Sequence, residues 1–260
     1  PLPGRDLDLL TQAAREAGSI ALRYWRQNPK VWDKGGEHGP VTEADLAVND
    51  MLKARLLGAR PGHGWLSEET PDDPARLSCD QVFIIDPIDG TRAFVAGEEH
   101  FAHSLAVARQ GVVTAAVVYL PALDRLYAAA AGIAPIVNGA PIRASVRGAL
   151  TGADILTTKA SLAPEKWPGG VPEVTRHFRA SLAYRMCLAA EGAYDGMLTL
   201  RPAWEWDIAA GSLIAESAGL RVTDRAGAAL RFNSAKAQAD GVLALTPEAH
   251  AQAVGLLRGR

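Results

Sequence analysis

The chain has little of what several classes of protein require. Of its 260 residues only Cys79 and Cys187 are cysteines, too few for a disulfide framework and without the spacing of a cysteine metal site. No stretch approaches the roughly 18 consecutive apolar residues that a membrane-spanning helix needs. The N-terminal segment also lacks the basic and then apolar pattern of a secretory signal. We therefore expect no membrane partner and a reduced, cytoplasmic environment.

An excess of basic residues is missing as well. The formal net charge is −2, and no run of lysine and arginine is interleaved with aromatic residues. This balance gives no general attraction to nucleic acid polymers or to acidic membranes. What the chain does have is apolar content, because 48% of its residues are hydrophobic, which is ample for a packed core. Its length allows one large domain or two compact halves.

The pattern of apolar residues divides the chain into helices and strands. Helices are predicted over 6–27, 41–59, 181–193, 207–218 and 248–257, and strands over 65–66, 82–85, 103–108, 112–119, 126–130, 155–158, 197–200 and 242–245. The Asn138-Gly139 pair predicts a hairpin turn, and the composition of 28–40 and of 70–80 is typical of exposed loops. A boundary near 145–153 is expected to separate an N-terminal α+β half, 1–147, from a C-terminal α/β half, 148–260.

The stretch 83–91 is the most informative part of the sequence. It is an apolar strand that ends in two carboxylates, Asp86 and Asp89. Pro87 favours an extended conformation at the residue before it, and Gly90 allows the backbone to turn sharply. Two hard oxygen donors held together suit Mg²⁺, and the amides that open a following helix suit an anion. The pattern therefore predicts a cation beside an anion, as in a metal-bridged phosphate.

Other acidic residues have structural and functional interpretations that the sequence leaves open. Glu68 and Glu69 follow a short predicted strand, but adjacent glutamates are often a solvated surface pair. Asp207 falls in the first turn of a predicted helix, where the helix dipole favours an acid. Asp45 lies three residues after Thr42, so that the two form a capping box. Capping alone explains Asp45, whereas the functional interpretation places it near the metal ligands.

Taken together and in this order, Asp45, Glu68-Glu69, the 86–91 sequence DPIDGT and the 206–211 sequence WDIAAG resemble the inositol monophosphatase superfamily. These are Mg²⁺-dependent, lithium-sensitive phosphomonoesterases, and the motifs cover nearly the whole chain. The resemblance implies a layered αβαβα sandwich, of mixed α+β and α/β character, in two subdomains. It also implies a small soluble phosphate ester as the substrate. Homodimers are common in the inositol branch, but nothing in the sequence fixes the oligomeric state.

The resemblance also implies which residues form the site. Two or three Mg²⁺ ions would be held by Glu68, Asp86, the carbonyl of Ile88, Asp89 and Asp207. Gly90 and Thr91 would hold the phosphate. Thr91, with Asp45 or Glu68, would position the attacking water, while Glu69 would support the ligands without contacting an ion. Most of the ligands thus belong to 1–147, and 148–260 supplies Asp207 and the substrate contacts.

Substrate choice is expected to come from the C-terminal half, where the chain departs from the inositol enzymes. Those carry a glutamate at the position of Leu200, which cannot accept a hydrogen bond from a polyol, and a buried hydroxyl left unpaired costs about 1–3 kcal/mol. Arg201 instead suits a second phosphate. The stretches 181–185 (SLAYR) and 90–94 (GTRAF) resemble CysQ-type 3'(2'),5'-bisphosphate nucleotidases, which remove the 3'-phosphate from adenosine 3',5'-bisphosphate.

Four residues are candidate phosphate or substrate contacts: Ser181 and Arg185 from the CysQ-like stretch, Arg201 from its charge, and Lys159 because its segment stands where the superfamily has substrate contacts. The lysine and the two arginines are also explained as solvated surface charges. Trp204 would stack on a base or pack at the rim of the site. Arg92 stands where many of these nucleotidases have lysine, which departs from their pattern.

Several other functions stay open. Inositol 1-phosphate, histidinol phosphate and sugar phosphates are alternative substrates within the same superfamily. A phosphatase of the haloacid dehalogenase type also has a strand that ends in aspartate, but its two carboxylates are separated by one residue, whereas two separate Asp86 and Asp89. A catalytically silent sensor of a phosphate ligand would keep the same acidic residues without turnover.

Overall fold

The computed structural model describes residues 3–35 and 39–259. Helices within these ranges are α1 (Pro3–Tyr24), α2 (Glu43–Ala59), α3 (Thr91–Val95), α4 (Leu182–Ala190), α5 (Glu205–Ser217) and α6 (Pro247–Leu257). The five predicted helices all form, with ends shifted by a few residues, and α3 follows Gly90 as expected. None of the helices in the described part of the chain is both long and apolar enough to cross a membrane.

A short hairpin and a larger sheet make up the strands of the first half. The hairpin pairs β1 (Val31–Asp33) with β2 (Pro40–Thr42). The sheet contains β3 (Gly64–Ser67), β4 (Gln81–Asp89), β5 (Ala102–Arg109), β6 (Val112–Leu120), β7 (Arg125–Ala130), β8 (Ile133–Val137) and β9 (Ala140–Pro141), side by side in that order. Only β3 and β4 run parallel, and the later pairs are antiparallel. The turn at Asn138-Gly139 joins β8 to β9, which confirms the predicted hairpin.

The strands of the second half are shorter. They are β10 (Asp154–Leu156), β11 (Thr175–His177), β12 (Gly196–Thr199), β13 (Ala203–Trp204), β14 (Arg221–Thr223), β15 (Gln238–Ala239) and β16 (Val242–Leu245). Five of them form a mixed sheet in the order β11-β10-β12-β16-β14, and β13 pairs with β15 alone. The sequence pattern predicted β10, β12 and β16 and missed the others.

The core consists of three apolar clusters that separate five layers. One cluster joins α1 and α2 to one face of the seven-stranded sheet and includes Leu10, Leu52 and Phe83. A second, formed by α4 and α5, fills the space between the two sheets. The third joins the far face of the five-stranded sheet to α6. The order of layers is therefore helix, sheet, helix, sheet, helix, which confirms the predicted αβαβα sandwich.

Two predicted loops contain more structure than expected. Residues 28–40 include β1 and the first residue of β2, while residues 36–38 of this predicted loop lie outside the described residues. The segment 70–80 contains a 3-10 turn at Pro74–Ser78 and the buried side chain of Arg76, so its prediction as an exposed loop was partly wrong. The boundary between 147 and 148 stays a prediction.

Candidate active site

The end of β4 is irregular, and this irregularity brings Asp86 and Asp89 together. In a regular strand, residues three positions apart point to opposite faces of the sheet. Here Asp86 pairs with Ser104 and Asp89 pairs with Ala102, so two residues of β4 lie opposite one residue of β5. Such a β-bulge reverses the alternation of side chains beyond it. Both carboxylates therefore lie on the same side of the sheet.

A third carboxylate reaches the same point from α5. Oxygen atoms of Asp86, Asp89 and Asp207 all lie within 4.8 Å of one another. Burial raises the pKa values of Asp86 and Asp207 well above the usual value and also raises the pKa of Asp89. The neighbouring carboxylates raise the pKa values of Asp86 and Asp207 further. Closely packed acids of this kind are stabilised by a bound cation, and hard oxygen donors fit a hard ion such as Mg²⁺. The donor set thus fits the metal that the sequence predicts.

Hydrogen bonds fix two of these carboxylates in place. Asp86 Oδ1 accepts the amide hydrogen of Ile88 at 2.9 Å, a contact within the bulge. Asp89 Oδ2 accepts from the hydroxyl of Ser181 at 2.6 Å and from the amide of Ala183 at 2.7 Å. The second pair of bonds ties Asp89 to the first turn of α4. These hydrogen bonds oppose the effect of burial on the pKa of Asp89 because they stabilise its ionised form.

The two glutamates after β3 share a lysine from the hairpin. Lys34 Nζ lies 2.8 Å from Glu68 Oε1 and 2.8 Å from Glu69 Oε1. Burial raises the pKa of Glu68 to about 7, with Lys34 opposing that rise and Glu69 adding to it. Glu68 also lines the cavity that contains Asp86, whereas Glu69 is not among the residues that line it. Glu69 is thus farther from the cavity than Glu68, and its predicted role, to support the metal ligands without contacting an ion, stays a prediction.

Thr91 and Asp45 form a second polar group beside the carboxylates. The Thr91 hydroxyl lies 3.2 Å from Asp45 Oδ1 and 3.1 Å from the carbonyl oxygen of Ile88. Asp45 Oδ2 accepts from the amide and the hydroxyl of Thr42, which completes the predicted capping box of α2. Burial raises the pKa of Asp45 to about 6, although the bonds from Thr42 oppose the rise.

One cavity of about 790 Å³ contains most of the predicted residues. Its floor is formed by Glu68, Asp86, Ile88, Asp89, Gly90, Thr91 and Asp207. Gly90 has φ of 98°, and a Cβ there would lie 3.2 Å from the carbonyl oxygen of His100. Both the left-handed backbone and the close approach require glycine at this turn.

Another part of the cavity wall is cationic and aromatic. Arg185 is only 5% exposed, and its Nε has no hydrogen-bond partner among the described residues. Its Nη2 donates to the carbonyl of Ala180 at 3.2 Å, and its guanidinium lies 4.8 Å from the centre of the Phe178 ring. Arg201 and Trp204 line the same cavity, and Trp204 stacks on Trp206 at a centroid distance of 4.8 Å.

Three residues of the sequence analysis lie elsewhere. Lys159 is exposed and is not among the residues that line the cavity, although its neighbour Thr158 is. Ser181 is buried and contacts Asp89 instead of the open space. Leu200 is 3% exposed, packs in the core cluster beside α6 and is not among the residues that line the cavity.

Sequence reasoning also missed parts of the site. Phe178 and Gln238 both line the cavity, and neither was a candidate from the sequence. Phe178 lies in a segment without periodic pattern, and Gln238 belongs to a strand of two residues. Neither position gives a signal in the local sequence, because Phe178 and Gln238 reach the cavity only through the packing of the folded chain.

Comparisons with known proteins agree with this geometry. Residues 5–258 match the model of the inositol monophosphatase family. An inositol-1-monophosphatase of Rhizobium meliloti (strain 1021) is 34% identical over 238 residues, which cover 85% of this chain and 86% of that protein. The 3'(2'),5'-bisphosphate nucleotidase CysQ of Salmonella typhimurium is 29% identical over 232 residues, covering 87% of this chain and 93% of that protein.

A solved structure gives the same result for the fold. The IMPase of Thermotoga maritima superposes with a TM-score of 0.83 at 27% identity, covering 98% of this chain and 97% of that one. The family match covers nearly the whole sequence, from the first helix to the last, and the solved structure shares the fold over the same length. The chain therefore belongs to the inositol monophosphatase family and is a phosphatase, a hydrolase of phosphoric monoesters.

Proposed function

We propose that the chain is a Mg²⁺-dependent 3'(2'),5'-bisphosphate nucleotidase that converts adenosine 3',5'-bisphosphate to AMP. The observation that carries this choice is Arg185, a buried cation that lines the cavity with an unpaired Nε atom. Arginine stays charged in proteins, and a buried arginine with spare donors is suited to bind a phosphate. A substrate with one phosphate at the carboxylates and a second at Arg185 would use both charged regions of the cavity.

The carboxylate side would perform the hydrolysis. Glu68, Asp86, the Ile88 carbonyl, Asp89 and Asp207 would hold Mg²⁺, which when bound neutralises phosphate charge and lowers the pKa of water. Thr91 would orient the attacking water through its hydroxyl, and Asp45 would accept a proton through that hydroxyl. A pKa of about 6 suits Asp45 to this task, since a general base works best when its pKa lies near the working pH.

The cationic and aromatic part of the wall would select the substrate. Arg201 is exposed at the edge of the cavity and adds a second cation beside Arg185. Phe178 and Trp204 supply aromatic surfaces on the same wall, and stacking of a base on an aromatic ring is worth about 1–3 kcal/mol. The combination of two cations and two aromatic rings matches a nucleotide with a second phosphate better than a polyol.

The experiment is phosphate release with Mg²⁺, comparing adenosine 3',5'-bisphosphate with inositol 1-phosphate, with and without lithium. We expect kcat/KM to favour the nucleotide by at least about 10-fold. Arg185→Gln should lower kcat/KM for the nucleotide by about 10–100-fold, since a hydrogen bond to a charged group contributes about 1.5–3 kcal/mol. A preference of the wild type for inositol 1-phosphate would contradict the proposal.

Arg179→Gln is the matched control for Arg185→Gln. Arg179 lies just before α4 and donates to the Tyr194 hydroxyl at 2.9 Å. It is not among the residues that line the cavity. Its replacement should leave the preference between substrates within about twofold of the wild type. Equal losses in the two variants would mean that Arg185 acts through folding and not through the second phosphate.

The metal ligands have their own test. Asp89→Asn should lower kcat by about 10³-fold or more, because loss of an outer partner of a metal ligand already costs about 10–100-fold. The fold should persist, since the amide relieves part of the repulsion from Asp86 and Asp207. Turnover and the circular dichroism spectrum measure the two effects, with the exposed Asp80→Asn as the control. Activity near that of the wild type would remove Asp89 from the proposed metal site.

Inositol-1-monophosphatase is the second candidate function. It is favoured by the relative of that name at 34% identity. The comparison of substrates described above decides between the two functions, because the proposed metal site serves both equally.

A further inference from the structure

His103 lies directly opposite the bulge of β4. It is the residue of β5 between Ser104 and Ala102, which pair with Asp86 and Asp89 on either side of the irregularity. The side chain is buried, and Nδ1 lies 2.5 Å from the carbonyl oxygen of Pro87. A carbonyl oxygen only accepts, so Nδ1 carries the proton and donates it. Sequence analysis assigned this histidine no function.

The bulge needs such a donor because it interrupts the hydrogen bonds between β4 and β5. Within the interruption Pro87 has no amide hydrogen to offer, and its carbonyl oxygen lies in a buried strand. A buried carbonyl without a partner is costly. His103 supplies the partner from the side chain, while Asp86 Oδ1 binds the amide of Ile88 on the other side of the same turn. The two contacts hold the carbonyl oxygen and the amide hydrogen of a single peptide group, the one that joins Pro87 to Ile88.

The position of Ile88 shows what the bulge changes. In the first part of β4, Phe83 and Ile85 point towards α1 and α2, whereas Val82 and Ile84 point towards α4 and α5. Regular alternation would send Ile88 to the side of Ile84. Ile88 instead packs in the cluster of Phe83 and Ile85, so the alternation has been shifted by one residue. The shift is what returns the carboxylate of Asp89 to the side of Asp86.

We propose that His103 is a positioning residue of the active site: by donating from Nδ1 to the Pro87 carbonyl it holds the β4 bulge that places Asp86 and Asp89 on one side for a metal ion. The proposal rests on the metal function proposed above for these two aspartates. His103 itself is not among the residues that line the cavity. Its effect should therefore appear first in metal affinity and only through that in turnover.

The test uses two substitutions at position 103. His103→Asn keeps an amide donor close to the location of Nδ1, whereas His103→Leu removes the donor and keeps an apolar side chain of similar bulk. Mg²⁺ affinity is measured by isothermal titration calorimetry on the full chain without substrate. We expect His103→Leu to weaken Mg²⁺ binding by about 10–100-fold, as for other outer partners of metal ligands, and His103→Asn to remain within about threefold of the wild type.

A control separates positioning from general loss of packing. Val117→Ala removes a buried side chain of β6 from the same core cluster, at a regular part of the sheet. It should lower the melting temperature and leave Mg²⁺ affinity within about twofold. Equal affinity in His103→Leu and the wild type, or equal weakening in Val117→Ala and His103→Leu, would overturn the inference. Failure of the wild type to bind Mg²⁺ would instead overturn the proposed metal function on which the inference rests.

A measurement on the wild type covers the case in which His103→Leu does not fold. The ¹⁵N chemical shifts of the histidine side chains identify which ring nitrogen carries the proton, and the spectrum of His103→Asn assigns the signal. The structure requires the neutral tautomer protonated on Nδ1. A neutral ring protonated on Nε2 could not donate to the Pro87 carbonyl and would overturn the proposal without any loss of stability to interpret.

Discussion

At the scale of single residues, Asp45 shows that a structural and a functional interpretation can both hold. Its Oδ2 atom accepts from the amide and hydroxyl of Thr42 and so caps α2. Its Oδ1 atom faces the hydroxyl of Thr91. From the sequence alone, capping and a place near the metal ligands were alternative interpretations of Asp45. Because a carboxylate has two oxygens, one residue fixes the start of a helix and reaches the candidate catalytic threonine.

The raised pKa of Asp45 predicts a pH dependence of stability in the metal-free protein. A folded-state pKa of about 6, against 3.8 ordinarily, means that Asp45 favours folding below pH 3.8 and loses this contribution as the pH rises through about 6. The loss amounts to about 3 kcal/mol, since each pKa unit corresponds to about 1.4 kcal/mol. The free energy of unfolding of Asp45→Asn should therefore lack this part of the pH dependence, while its fold stays that of the wild type.

Urea unfolding with a chelator at pH 5 and pH 7.5 measures this difference. The free energy of unfolding of the wild type should fall more steeply over this interval than that of Asp45→Asn. Asp50→Asn, an exposed acid on the same helix, is the control and should follow the wild type. Parallel pH profiles for wild type and Asp45→Asn would show that Asp45 titrates alike in the folded and unfolded chain.

The residue types of the site were predictable, but the directions of some side chains were not. Asp86, Asp89 and Asp207 were predicted as ligands from their motifs, and their oxygens do lie together. Leu200 was considered by counting back from Asp207, and Lys159 because its segment stands where the family has substrate contacts. Neither residue lines the cavity. Which face a strand residue uses depends on register, and a shift of one residue reverses it. Counting along the sequence cannot supply that register at the end of a short strand.

At the scale of elements, the start of α5 is held by a polar cluster that positions Asp207. Glu205, two residues earlier, is buried and accepts from the amides of Asn233 and Ser234 at 2.6 Å and 2.9 Å. Arg76 donates to the Asn233 side chain at 2.7 Å and to the Ser234 carbonyl at 3.0 Å, and it also pairs with Asp72. The segment 70–80 is thereby joined to the first turn of α5.

Arg76→Met should destabilise the protein by about 2–4 kcal/mol. Arg76 is 2% exposed, and its loss leaves part-buried acceptors on Asn233 and Ser234 without this partner, each costing about 1–3 kcal/mol. Arg109→Met is the matched control, because Arg109 forms an exposed pair with Asp80 that is worth about 0–1 kcal/mol. Thermal or urea unfolding compares the variants. Equal small losses in both would show that the cluster contributes nothing beyond a surface ion pair.

Short elements account for most of what the sequence pattern missed. The strands β11 and β14 have three residues each, and β13 and β15 have two. A pattern with a period of two residues cannot be recognised over so few positions. Long elements such as α1 and β6 were predicted within a few residues, since each buries one face over several turns or repeats. The five-stranded sheet therefore emerges only from packing around β10, β12 and β16.

At the scale of the whole molecule, the largest apolar cluster joins both halves of the chain. It contains Leu66 and Ile84 from the first sheet, Ile208 from α5, and Met197 and Ala244 from the second sheet. We expect one cooperative unfolding transition for the metal-free chain, because neither sheet keeps a complete core without α4 and α5. Differential scanning calorimetry measures this. Two resolved transitions would instead show that 1–147 and 148–260 unfold separately.

The β4 bulge has a consequence for how this gene can change in length. Asp86 and Asp89 lie on one side only because one extra residue stands between the paired positions of β4 and β5. Many substitutions at Ile88 keep that count, whereas a codon gained or lost between the two aspartates reverses one of them. Insertions and deletions at this point should therefore be eliminated by selection far more strictly than exchanges of side chain, while the turn at Asn138-Gly139 should tolerate both.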